Sequence, residues 1–487
     1  MTKKITIDPI TRLEGHGKIE IFLDDEGNVK NAYLQVPELR GFEQFCVGRP
    51  VEELARITPR ICGVCPTAHH MCSTKTNDAV YHVKPTETAL KIRRLIYDAF
   101  MAEDHLLHFF FLGGPDFVVG PDAPPAERNI LGVIGKVGLE IGKQVINSRR
   151  KLREIVTTLG GKIIHPVCGL PGGVSRGITE EERQEFLKTA KETVEFSKFA
   201  LKVFNDIVLK NDTYLDLIVG DIFKHQTYYM GLVDENNKVD LYDGKIRVVD
   251  PNGKEFVKFE AKDYLDHIVE HVEPWSYIKF PYLKNIGWKG FVDGIDSGVY
   301  RVAPLARLNA SDGMKTPLAQ AEYEKMYATL GGKPAHNTLA FHWARLIEVM
   351  YVSEELVQLL EDKSITNPDI RNLPTETPSE GVGVIEAPRG TLFHHYKTDK
   401  NGMVTNVNLI VATVNNSAAI SMSIAKAAKG LINKGKVDDG LLNMVEMAFR
   451  SYDPCLACAT HSLPGKMPLI VNLRDNNQDI VQSIRRD

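Results

Sequence analysis

Arg60-Ile61-Cys62-Gly63-Val64-Cys65-Pro66-Thr67-Ala68-His69-His70 and Asp453-Pro454-Cys455-Leu456-Ala457-Cys458-Ala459-Thr460-His461 stand near opposite ends of a chain of 487 residues. Each stretch carries one C-x-x-C pair. Two thiolates spaced this way can grip a soft metal from a single turn of backbone, and two pairs complete a four-sulfur site. If both pairs hold one centre, the two ends of the chain meet in space and the roughly 390 residues between them are scaffold. Spacing alone leaves three centres open: a structural zinc, an iron–sulfur cluster or a catalytic soft metal. Zinc is the default for two such pairs, although zinc ribbons keep their halves about 15–20 residues apart and cluster ligands are also grouped locally; it is the flanking residues that overturn that order.

Composition narrows the class only a little. The length allows about three domains, but closure between the two ends argues for one interdependent unit. A formal charge of −4 gives no reason to expect nucleic acid as a partner. Seven cysteines cannot all pair, and once four are assigned to metal, Cys46, Cys72 and Cys168 remain as small buried hydrophobes of a reduced protein. No stretch approaches the roughly 18 uninterrupted apolar residues of a membrane span. The N-terminus enters strand-like alternation without a signal-peptide core, so the cytoplasm is the expected location.

Along the chain, residues 1–40 read as a small β-meander, with alternation over 18–23 and 31–36 about the turn at 24–28. Helical periodicity follows over 86–112, 129–159, 180–209 and 336–360. In the first of these, Ile92, Leu95, Ile96, Ala99 and Phe100 recur at three- and four-residue steps. An antiparallel insert is expected over about 228–259, and a hairpin over about 391–414 turning at Asp399-Lys400-Asn401-Gly402. The expected fold is mainly α, a long-helix bundle with smaller antiparallel β elements.

The sequences flanking the cysteine pairs resemble the two signature motifs of the nickel–iron hydrogenase large subunit. The resemblance extends to Asp8-Pro9-Ile10-Thr11-Arg12-Leu13-Glu14-Gly15-His16-Gly17, Arg40-Gly41-Phe42-Glu43, Asp104-His105-Leu106-Leu107-His108-Phe109 and Glu386-Ala387-Pro388-Arg389-Gly390, in the family's order and over nearly the whole chain. The ending Asp453–His461 looks most like the cytoplasmic multi-subunit branch, methyl-viologen-reducing or bidirectional NAD(P)-linked. The resemblance implies that fold and a nickel–iron centre whose iron carries two cyanides and one carbon monoxide. It also implies reversible heterolytic cleavage of H2. Two rivals share parts of the pattern: a hydrogen sensor with little turnover, and the quinone-reductase core of respiratory complexes, which lacks the metal cysteines.

Carried over residue by residue, the resemblance makes Cys62 and Cys455 terminal nickel ligands and Cys65 and Cys458 bridges to iron. Arg389 becomes a donor to one cyanide and Thr413 to the other, although by itself Thr413 reads as a strand residue. His69, one turn after Cys65 on a helix begun by Pro66, faces a bridging sulfur. Glu14 becomes the first proton relay beside Cys455, and Asp104, Asp453, Pro388 and Arg389 cover the open position. Glu43 and His461 match an outlying site for Mg2+ or another divalent cation near the C-terminus. The spare cysteines form no cluster motif and no Gly-rich nucleotide loop is present. The implied partners are therefore an iron–sulfur small subunit, a flavin- or iron–sulfur-containing electron-carrier module, and a maturation protease that removes residues 462–487.

Overall fold

A computed structural model describes residues 4–460 and the backbone of two paired strands, Leu469–Arg474 and Ile480–Arg486. His461 and the cleavage point proposed beside it lie outside the described residues. The chain opens with antiparallel strands β1 (Lys4–Ile7), β2 (Lys18–Leu23) and β3 (Val29–Gln35) in that order. Helix α1 (Pro66–Val80) follows the first cysteine pair, and α2 (Glu87–Leu107) begins at Thr86, whose hydroxyl accepts from the Ala89 amide at 3.1 Å. Its apolar stripe, Ile92, Leu95, Ile96, Ala99 and Phe100, is buried. Helices α3 (Leu139–Gly160) and α4 (Glu180–Phe204) come next, the latter started by a reciprocal cap between Thr179 and Glu182.

The helical periods are right in kind, and 180–209 is helical throughout, closing on a π turn over Asn205–Leu209, while others are interrupted. Helix α2 stops at Leu107 and widens into a π turn over His108–Gly113. Gly113 lies so close to His342 that an added Cβ would stand 2.4 Å from its ring. The stretch 129–159 divides at Gly138, whose φ of 93° ends one helix before the next begins. The insert holds β4 (Tyr228–Val233), β5 (Lys245–Val249) and β6 (Glu255–Phe259) as an antiparallel run. The short strand Tyr300–Arg301 adds to β4 in parallel, making the sheet mixed.

Helix α5 (Phe341–Glu361) packs on α2 and α4 to form the centre of the bundle. Behind α1 stands a three-stranded antiparallel sheet, β7 (Glu380–Ala387), β8 (Gly390–Thr398) and β9 (Val404–Ile410). The helix can approach β7 because Gly383 carries no side chain: a Cβ there would stand 2.4 Å from Thr76 Oγ1 and 2.7 Å from the Cys72 carbonyl oxygen. Helices α6 (Ser417–Leu431) and α7 (Asp439–Arg450) lead to the second cysteine pair. None of the described helices is long and apolar enough to cross a membrane.

Candidate metal centre

Three local structures bring the cysteines together. Cys62 is extended, and Cys65 caps α1 while Pro66 supplies the first helical residue, where a missing N–H costs nothing. The amides of Val64 and Cys65 donate to Cys62 Sγ at 3.3 and 3.0 Å. The second pair starts at Asp453, held at φ 58°, and enters the short helical turn Leu456–Ala459. Glu14 joins the two ends: its carbonyl accepts from Leu456 N–H at 2.9 Å, and Gly15, at φ 85°, allows the close approach to Ala457.

The four sulfurs lie within 4.8 Å of one another, all buried. Around the quadrilateral, Cys62–Cys65, Cys65–Cys458, Cys458–Cys455 and Cys455–Cys62 are separated by 2.9, 3.6, 2.8 and 3.4 Å. These are far longer than a disulfide bond, at about 2.05 Å, and close enough for the four thiolates to share one site. Burial opposes ionisation of Cys62, but hydrogen bonds from Cys455, Cys458 and Cys65 hold its thiol well below the ordinary value. Burial pushes Cys455 and Cys458 up. A cation held by these sulfurs displaces the thiol protons as it binds.

Glu14 Oε2 accepts from Cys455 Sγ at 2.8 Å and from Ala457 N–H at 3.2 Å. Burial raises its pKa, and charge on Cys62 raises it further. Glu14 also lines a surface cavity of about 650 Å3 with His16, Glu38 and Arg40. Pro388 and Arg389 form the two-residue connection between β7 and β8, where Ala387 pairs with Gly390. Arg389, buried, reaches Asp104 at 3.2 Å and Asp453 at 2.9 Å. Burial raises the Asp453 carboxyl to about 7, against the pull of Arg389. Arg389 Nε has no partner among the described residues, leaving a buried donor suited to a polar ligand in the site.

His69 is buried on α1 with Nε2 3.8 Å from Cys458 Sγ. Thr413 is in a helical turn, Ala412–Asn415, not a strand, because the chain leaves β9 at Ile410. Its Oγ1 accepts from Cys455 N–H at 3.0 Å. Glu43 accepts from Leu409 N–H at 2.6 Å; its intended partner His461 lies beyond the described residues. Sequence reasoning quoted Arg40 only as part of a motif. Its guanidinium donates to the carbonyls of Ile61, at 2.5 Å, and Ala457, clamping both cysteine segments, and its amide donates to Thr460 at 2.8 Å. Arg345 was also missed; it is fully buried and donates to the Ser451 carbonyl at 3.2 Å, with burial lowering its pKa to about 10 against the pull of Asp453.

A family model described as nickel-dependent hydrogenase matches residues 40–129 and 295–461, and one described as HoxL-like matches 4–39. The chain is 52% identical over 484 residues to an F420-non-reducing hydrogenase iron-sulfur subunit of Archaeoglobus profundus, covering 99% of each chain. It is 38% identical to the beta subunit of the NAD-reducing hydrogenase HoxS of Cupriavidus necator, covering 98% of each. A crystal structure of an NAD+-reducing [NiFe]-hydrogenase in the H2-reduced state superposes with a TM-score of 0.89 at 38% identity, over 94% of this chain and 100% of that one. The chain belongs to the nickel-dependent hydrogenase family. It is a catalytic large subunit, an oxidoreductase acting on H2.

Proposed function

We propose that Cys62, Cys65, Cys455 and Cys458 hold a nickel–iron centre, with Cys62 and Cys455 terminal on nickel and Cys65 and Cys458 shared with iron, and that Glu14 moves protons between Cys455 and solvent. When bound, that centre supplies the Lewis-acidic metal pair for heterolytic cleavage of H2. The observation that carries the reading is the contact of Glu14 Oε2 with Cys455 Sγ, 2.8 Å, inside a four-sulfur cage. A proton on Cys455 Sγ passes to Glu14 Oε2, and rotation of a carboxyl that borders a solvent cavity delivers it to water. Arg389 offsets the thiolate charge and, with Thr413, is the hydrogen-bond donor set for the two cyanides of the iron, whose third small ligand is carbon monoxide. Asp104 and Asp453 hold the Arg389 fork in place, while Pro388 fixes the turn that presents it.

Electrons leave through an iron–sulfur small subunit to a flavin- or iron–sulfur-bearing carrier module in the cytoplasm. The relatives bear subunit names, and the remaining thiols do not form a second centre. Cys72 donates to the Gly383 and Leu392 carbonyls, Cys168 lies by His70, and among the described residues only the four site cysteines form a metal-ligating group. Glu43 and His461 bind Mg2+ or a similar cation, and a protease ends the mature chain at His461. The test is metal analysis of the purified complex with H2-dependent dye reduction: nickel, iron and turnover in the native chain support the reading, and a chain without nickel overturns it.

A further inference from the structure

Two residues four apart on a helix and two residues two apart on a strand meet behind the sulfur of Cys458. His69 and Ser73 share one face of α1, separated by a rise of about 6 Å. His394 and Tyr396 share one face of β8, separated by about 6.6 Å. The match lets the side chains join in a single line: His69 Nδ1 to His394 Nε2 at 3.2 Å, His394 Nδ1 to Tyr396 Oη at 2.6 Å, and Tyr396 O–H to Ser73 Oγ at 2.9 Å. At its near end His69 Nε2 stands 3.8 Å from Cys458 Sγ. All four side chains of the line are buried.

The direction of the hydrogens follows from Tyr396, which has one to give. The geometry directs it to Ser73, so Tyr396 Oη accepts from His394 Nδ1–H. A neutral His394 then has only a lone pair at Nε2, which accepts from His69 Nδ1–H. That bond leaves Nε2 of His69 as the nitrogen facing Cys458 and fixes the plane of the ring; the hydrogen between nitrogen and sulfur lies along a set line whichever atom carries it. We propose that His394 and Tyr396 are positioning residues for the metal centre, orienting His69 against the bridging thiolate of Cys458. The inference rests on the reading of Cys458 as a metal ligand. Ligand-orienting partners of this kind are worth about 10–100-fold in metal affinity or activity.

The test uses the assembled holoenzyme. Nickel content of the native complex checks the underlying reading first: no nickel there removes it, and with it this inference. In a nickel-loaded complex, His394→Leu and Tyr396→Phe should keep native circular dichroism, shift the midpoint potential of the nickel electron-paramagnetic signal, and slow H2 oxidation by about tenfold or more. His394→Gln, whose amide can accept from His69 and donate to Tyr396, should restore most of the native potential. In a His69→Leu background, His394→Leu should add no further shift, because its effect passes through His69. An unchanged potential in Tyr396→Phe, the variant that removes a single oxygen and so folds most readily, would overturn the proposal. So would a shift of equal size for His394→Leu with and without His69.

Discussion

Glu14→Gln separates proton transfer from metal binding with the smallest change of shape. The side chain keeps its length and one carbonyl oxygen, so the Ala457 amide, 3.2 Å away, retains an acceptor, and the backbone bond from Leu456 N–H to the Glu14 carbonyl, 2.9 Å, is untouched. What disappears is the basicity of that oxygen: it can still accept a hydrogen bond from Cys455 Sγ at 2.8 Å but can no longer take the proton and pass it on. The structural loss is one charge-assisted hydrogen bond beside a thiol, partly offset by the amide, and is expected to cost about 1 kcal/mol of stability. The kinetic loss is that of a positioned acid–base group, about 10²–10⁴-fold, which corresponds to about 3–5 kcal/mol in the barrier. H2-driven dye reduction and nickel content measured on one preparation separate the two. Full nickel with turnover down at least about a hundredfold is expected. Glu14→Asp, shorter by about 1.5 Å, should fall between native and Gln. Native turnover in the Gln variant, or turnover lost only in proportion to nickel, would refute the relay.

Cys458→Ser replaces a soft bridge by a harder ligand and should lose nickel and activity together, while Cys168→Ser should retain both, read by metal analysis. Burial, with charge from Asp240, raises Glu355 to about 7, and Asp98 beside it is raised as well, against Arg94 and Lys315. The folded chain then holds a proton that the unfolded chain loses above about 4.5, so stability should fall as pH rises from about 4.5 to 7 and level off above. Glu355→Gln should flatten that fall and raise Tm at pH 8 relative to native, by no more than about 3 kcal/mol of stability; a variant with the native slope of Tm against pH contradicts the assignment. Intact-mass measurement of the active complex should find the large subunit ending at His461, and a full-length chain that carries nickel and turns over H2 would show that no cleavage is needed.

The chemistry-bearing residues were legible because they sit in short motifs whose local structure is self-contained. Cys65-Pro66 announces a capped helix start, and helical spacing sets His69 one turn on, while its role beside a bridging sulfur came only from the motif. Glu14 and Arg389 were legible only through their motifs, since nothing in a strand-end carboxylate or a turn arginine says which distant segment it meets. Residues defined by register stayed hidden. His394 and Tyr396 matter because a strand repeat of two falls opposite a helix repeat of four, and Arg40 matters because Ile61 and Ala457 converge on it from opposite ends of the chain. Unbroken helices were read where a backbone special interrupts the apolar period, as at Gly138 with φ 93° and at the π turn His108–Gly113. Thr413 was misread because Val411-Ala412-Thr413-Val414 has strand composition, yet follows the last paired residue, Ile410, and folds into a helical turn.

X-ray absorption at the nickel edge of the purified native complex tests the four-sulfur nickel centre most directly. One nickel per chain with sulfur neighbours from four cysteines at about 2.3 Å is expected, lost in Cys458→Ser and kept in Glu14→Gln. Zinc in place of nickel, or nickel bound through nitrogen and oxygen alone, would contradict it.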